Sequence, residues 1–220
     1  ADDGTTTVTE NIVVNIADIN EAPEIITTTA SNYDENQDYS TNPIFDADAS
    51  DQDTGDNISF SLGTTKDEAS LSIDSVSGEV SLLATADFET KSSYTFDVIA
   101  TDDGNGLLSA TQEITVNIND LNDDPVITSE TGTLATPVDE GNTEIYTATA
   151  TDEDAGQTVT LSLSGTDAGK MTIDASTGVV TLNNAADYET QPSYDFVLQA
   201  DDGTTTVTEN IVVNIADVNE

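Results

Sequence analysis

Residues 87–106 read DFETKSSYTFDVIATDDGNG, and residues 187–203 read DYETQPSYDFVLQADDG. At the centre of each lies an alternating apolar run: Tyr94, Phe96, Val98 and Ala100 in the first, Tyr194, Phe196 and Leu198 in the second. A period of two is the pattern of a strand with one buried face. D-x-E precedes each strand and D-D-G follows it. Carboxylates crowded at both ends of a strand repel one another, and something must hold them there.

The same period runs outward. QEITVNIND (residues 112–120) sets Ile114, Val116 and Ile118 on one face, and ENIVVNIAD (residues 10–18) does the same with Ile12, Val14 and Ile16. LSIDSVSGEVSL (71–82) and MTIDASTGVVTL (171–182) read as hairpins, and NISFSL (57–62) and TVTLSLS (158–164) each add a strand. Gly55, Gly104, Gly156 and Gly203 read as turn glycines, and the Tyr and Phe residues of the central strands as core. About seven short strands per hundred residues, with no long window of helical period, predict an all-β fold of tandem β-sandwiches.

Residues 1–21 return at 200–220 with one difference, Ile19 against Val218. The other landmarks recur about every hundred residues, a period of whole domains in tandem. The expected organisation is the C-terminal strand and linker of a preceding repeat (1–21), one domain (22–121) and a second (122–220), cut from a longer chain.

Composition narrows the function. Asp and Glu number 44 against 3 Lys and Arg, a formal charge of -41. Such a chain offers no basic face to nucleic acid or to an anionic membrane, and no 18-residue apolar run inserts into one. Without Cys or His it has neither disulfides nor the usual nucleophile–base pairs. Cations are the expected partners.

The acidic residues fall into five clusters per repeat, all at strand ends. The first repeat has Glu35, then Asp51 and Asp53, then Asp87 and Glu89, then Asp102, then Asn122 and Asp123 opened by Asp120. The second has Glu140, Asp152 and Asp154, Asp187 and Glu189, Asp201, and Asn219 with Glu220. Two carboxylates 4 Å apart repel by about 4 kcal/mol at an effective dielectric of ~20. Oxygen-only ligands favour Ca²⁺ over softer metals, and Mg²⁺ is a poorer match because it keeps its waters. A halophile-like acidic surface explains charge but not ordered motifs. A glycosidase carboxylate pair is disfavoured because D-x-E recurs in both repeats, and no catalytic constellation is present.

A Glu near the start, D-x-D, D-x-E, D-x-G and an exit D-x-N, in that order and twice over, resemble the cadherin repeat across residues 22–220. The resemblance implies a seven-strand Greek-key sandwich, cadherin- and immunoglobulin-like, with Ca²⁺ at each junction between repeats. Carried over by position, one junction uses Glu35, Asp87, Glu89, Asn122 and Asp123 with Asp152, Asp154 and Asp201. Asn20 and Glu21 with Asp51, Asp53 and Asp102 form part of a second, and Glu140, Asp187, Glu189, Asn219 and Glu220 part of a third. The linkers DINEAP and DLNDDP are one residue shorter than the family's, and Glu21 stands where Asp is usual. D-D-G leaves open which Asp binds: Asp102 or Asp103, Asp201 or Asp202.

The implied function is an extracellular or cell-surface stalk, stiffened by Ca²⁺, supporting cell–cell or cell–matrix adhesion, homophilic or otherwise. Extracellular modules of this kind bind Ca²⁺ with Kd on the order of 10⁻⁴–10⁻³ M. Near-identical copies rich in Thr, Asn and Asp also resemble the arrays of bacterial surface adhesins. The alternative is a carbohydrate-binding module of a secreted polysaccharide-active protein, which exposed aromatics on one sheet face would favour. Partners are therefore other copies of these repeats, including strand exchange through residues 8–17, or cell-surface polysaccharide.

Overall fold

The computed structural model describes residues 4–7 and 9–219, which divide into two compact units, residues 1–119 and 120–220. In unit 1 the strands are β1 (Glu24–Ile25), β2 (Asn32–Asp34), β3 (Phe45–Asp46), β4 (Ala49–Ser50), β5 (Ser59–Leu62), β6 (Leu71–Ile73), β7 (Glu79–Leu82), β8 (Ser93–Thr101) and β9 (Ser109–Asn119). One sheet has the order β2-β9-β8-β5, with β2 parallel to β9 and the other pairs antiparallel. The facing layer has the order β3-β7-β6, and β1 pairs with β4. Only Ala47 and Asp48 separate β3 from β4, so these are one strand broken by an irregularity. Likewise β1 and β2 are one leading strand divided between the two layers. Counted this way the unit has seven strands, and the chain crosses between layers after β2, β4, β5 and β7, as in a Greek key.

Unit 2 repeats the plan with β10 (Val126–Ile127), β11 (Gly132–Thr133), β12 (Val138–Asp139), β13 (Glu144–Thr147), β14 (Ala150–Thr151), β15 (Thr160–Ser164), β16 (Met171–Ile173), β17 (Val179–Leu182), β18 (Ser193–Asp201) and β19 (Thr206–Ala216). Its leading strand is in three pieces: β10 pairs with β14, while β11 and β12 lie parallel to β19.

The alternation read in the sequence sets the cores. Phe96, Val98 and Ala100 of β8 meet Ile114, Val116 and Ile118 of β9 and, across the sandwich, Phe45, Val80 and Leu82. Phe196, Leu198 and Ala200 of β18, with Ile211, Val213 and Ile215 of β19, do the same in unit 2, where the one methionine, Met171, is also core. A fully buried side chain of this size contributes roughly 1.5–3 kcal/mol. The hairpins close through Gly78 (φ 83°) and Gly178 (φ 73°), each pressed against the carbonyl of Ala47 or Ala148.

One expectation is corrected and one extended. The strand expected at 8–17 is not formed: Val8 lies outside the described residues, and residues 9–17 carry no strand, with Ile12, Val13, Val14 and Ile16 largely exposed. A strand needs a hydrogen-bonding neighbour, and among the described residues no strand pairs with 9–17 as β18 pairs with β19. Gly104 is also more than a turn glycine. A Cβ there would lie 1.7 Å from Asn20 Oδ1, so the glycine leaves room for the linker side chain to lie close over the loop.

Candidate metal centres at the two ends of each unit

In unit 1 the loops after β4 and after β8 form one end, called here the head. Asp102 is buried, and its Oδ1 accepts the backbone N–H groups of Gly104 (3.1 Å) and Leu108 (3.0 Å). Its Oδ2 accepts from Asn20 Nδ2 at 2.9 Å. The Glu21 N–H donates to Asp53 Oδ2 at 2.8 Å, so the linker segment docks on the head through both residues. Asn57 ties the two loops together, donating from N and Nδ2 to Asp103, each at 2.8 Å. These bonds hold the Asp103 carboxyl below the usual range. Carboxylate oxygens of Asp18, Glu21 and Asp53 lie within 4.8 Å of one another. Burial, then the charges of Asp53, Asp18 and Asp51, pushes the Glu21 carboxyl up. Burial and the charges of Asp53 and Asp103 do the same to Asp56.

Unit 2 rebuilds this head with one shift. The Asp123 N–H donates to Asp154 Oδ2 at 2.9 Å, and Asn122 Nδ2 donates to Asp202 Oδ2 at 3.0 Å. The partner of the linker asparagine is therefore Asp202, not Asp201. Asp201 is instead the last residue of β18, accepting from Gly203 N and Thr206 Oγ1, where unit 1 has Thr101. The Thr205 N–H first, and Asn122 among others, lower the Asp202 carboxyl to about 2 against the push of burial. Asp120 and Asp154 oxygens lie within 4.8 Å, matching Asp18 and Asp53.

The opposite end of each unit, the foot, gathers the other carboxylates. Glu35 is fully buried behind β2, and its Oε2 accepts the Phe88 N–H at 2.6 Å. Asp87 accepts from the N–H and hydroxyl of Thr90, both at 2.8 Å, and Glu35 and Glu89 oxygens lie within 4.8 Å. In unit 2 Glu140 accepts from Val218 N (2.6 Å) and Tyr188 N (3.0 Å), which lowers its carboxyl. Thr190 lowers Asp187 likewise through its hydroxyl and N–H. Glu140, Asp187 and Glu189 oxygens lie within 4.8 Å, and Asn219 borders the same cleft, whereas Glu220 lies outside the described residues.

One observation tests whether these oxygens suit a cation. Asp51 Oδ2 and Asp152 Oδ2, at equivalent positions, are each buried and accept no hydrogen bond. A buried carboxylate oxygen without a partner is costly, and a hard cation is the ligand that relieves it. The lysines do not serve: Lys66 binds Asp97 and Glu113, Lys91 binds Asp67, and Lys170 binds Asp167. The donor set therefore fits Ca²⁺. Asp18, Asp56 and Gln157 belong to the heads but were absent from the sequence-derived set, which had left Asp201 and Asp202 open. The aromatic platform that a carbohydrate module needs is not formed, since Tyr188 is the one exposed aromatic side chain among the described residues.

The Cadherin domain profile matches residues 30–119 and 135–216. The mouse protein "Cadherin EGF LAG seven-pass G-type receptor 2" is 33% identical over 178 residues, 78% of this chain and 6% of that protein. Human "Protocadherin Fat 4" is 33% identical over 162 residues, 70% of this chain and 3% of that protein. The chain thus spans a small fraction of these relatives. Among solved structures, Drosophila N-cadherin EC1-4 matches with TM-score 0.60 and 23% identity over 90% of this chain and 50% of that one. Protocadherin Gamma B2 extracellular cadherin domains 1-5 match with TM-score 0.59 and 25% identity, over 93% of this chain and 41% of that one.

Proposed function

The chain belongs to the cadherin domain family, and from that premise we propose that it is a calcium-binding segment of an adhesive stalk. The observation that carries this reading is the buried, unpartnered oxygen of Asp51 and of Asp152, in a chain whose lysines are occupied elsewhere. Within a unit, head and foot cannot share an ion, because the nine residues of β8 or β18 separate them by about 30 Å. Each cluster therefore needs its complement from a neighbouring repeat. Glu35, Asp87 and Glu89 serve with Asn122, Asp123, Asp152, Asp154 and Asp202. Asn20, Glu21, Asp51, Asp53 and Asp102 serve with a preceding repeat, and Glu140, Asp187, Glu189 and Asn219 with a following one.

Ca²⁺, when bound, supplies the positive charge that offsets repulsion at such a junction. The chain's own residues do the rest: linker N–H groups and asparagines fix the carboxylates, and buried Glu35 anchors the foot to β9 through its N–H to Asn119 O. Partners are further copies of these repeats, and the location is the cell exterior. That location rests on the relatives' description as receptors and as extracellular cadherin domains. The near-identical tandem repeats are read as those of a bacterial surface array, although the relatives named above are animal proteins. Calorimetric Ca²⁺ titration, paired with X-ray scattering in Ca²⁺ and in EGTA, tests the function. Saturable heat in the millimolar range and a chelator-dependent scattering profile are expected, and indifference of both to Ca²⁺ refutes it.

A further inference from the structure

Among the differences between the two heads, one lies at a position that no motif includes. Asp56 and Gln157 each follow the loop glycine, and their N–H groups reach back to Asp53 O and Asp154 O respectively. In unit 2 Asn122 is held on both sides. Its Nδ2 donates to Asp202 Oδ2 (3.0 Å) and to Asp123 O (2.8 Å), which turns its Oδ1 towards Gln157 Nε2 at 3.0 Å. In unit 1 Asn20 Nδ2 donates to Asp102 in the same way, and its Oδ1 lies over Gly104. Asp56 Oδ2 crowds the same point above Gly104. An ionised carboxylate has no proton to give, so two acceptors face each other where unit 2 has a donor and an acceptor.

We infer that Gln157 is a positioning residue that latches the linker asparagine of unit 2 without metal, and that Asp56 makes the same docking in unit 1 depend on a cation. The second half rests on the calcium reading above, whereas the first half does not. Gln157 acts through Asn122 on the Asp123 N–H, which donates to Asp154. The matching reporter in unit 1 is the Glu21 N–H, which donates to Asp53 with nearly the same length. The heads of one chain thus differ in calcium dependence although their motif carboxylates match.

Amide hydrogen exchange by NMR on the full chain reads both reporters at once. In EGTA, Asp123 N–H is expected to exchange more slowly than Glu21 N–H, and Ca²⁺ to slow Glu21 N–H more. Gln157→Met removes the donor without adding charge. In EGTA it is expected to speed Asp123 exchange on the order of tenfold, the scale of one lost hydrogen bond. Gln157→Asp copies unit 1 and should make that exchange calcium-responsive, while Asp56→Gln should slow Glu21 exchange in EGTA. An unchanged Asp123 rate in Gln157→Met, with core amides still protected, overturns the latch whatever calcium does. A latch effect in EGTA with no calcium effect at either reporter overturns the calcium reading and the Asp56 half, and leaves the Gln157 half supported.

Discussion

Replacing Gly178 with alanine tests the hairpin that pins one layer of unit 2. The residue has φ 73°, and an added Cβ would lie 2.0 Å from the Ala148 carbonyl oxygen and 3.0 Å from its carbon. A left-handed backbone costs an L-residue about 1–2 kcal/mol. The clash is with backbone, so no side chain can swing away. Relief requires the hairpin tip to lift, which breaks the bond from Ala148 N to Gly178 O, now 2.9 Å. Ala148 is buried, and stranding its N–H costs a further ~1–3 kcal/mol. The sum is roughly 2–5 kcal/mol, a large share of a small domain's stability. At about 4–8 °C per kcal/mol, the unit 2 transition should fall by at least about 8 °C. Scanning calorimetry in EGTA would show it, with urea denaturation for the free energy. Gly169→Ala, with open space around its Cβ, is the control and should stay within about 0.5 kcal/mol. Gly178→Ala behaving like that control would refute the close approach between β17 and Ala148.

Other expected outcomes can be checked on the same chain. Phe196→Ala empties a fully buried site and should destabilise unit 2 by about 3–5 kcal/mol in urea titration. Asp152→Asn and Asp51→Asn each remove a charge whose outer oxygen has no partner; both should raise the melting temperature in EGTA and weaken Ca²⁺ binding about tenfold or more by calorimetry. The folded-state carboxyls of Asp174 and Asp202 are lowered to about 2, Asp174 first by the Ser176 hydroxyl and Asp202 first by the Thr205 N–H. Their contribution to stability is therefore complete above the unfolded-state value near ~3.9 and is lost as pH falls towards 2, which acid titration of unfolding free energy should show for unit 2. Asp97 and Glu113 stand directly opposite each other on β8 and β9 and are bridged by Lys66, so Lys66→Met should destabilise unit 1, and less so at high salt.

The long strands and their cores were legible because alternation is a local code: every second residue of β8 and β18 from the first tyrosine is buried. The leading strands were not. β1, β2, β11 and β12 are two or three residues long, too short to show a period, and are fixed by pairing with β4, β9 and β19. The acidic motifs were legible as clusters, but their geometry depends on register. Ala100 and Ala200 are equivalent buried ends of β8 and β18; one residue fewer before D-D-G in unit 2 moves the role of Asp102 to Asp202. Gln157 escaped notice because a lone glutamine carries no motif and gains its meaning only from the carbonyl it faces.

Residues 9–17 and 208–216 are the same peptide, spelled identically, yet one exposes its isoleucines and the other buries them completely or nearly so. The chain thus carries an experiment on itself. A protease reading only sequence has the same bonds to choose from twice, and the one it opens reports which neighbours, rather than which letters, make a strand.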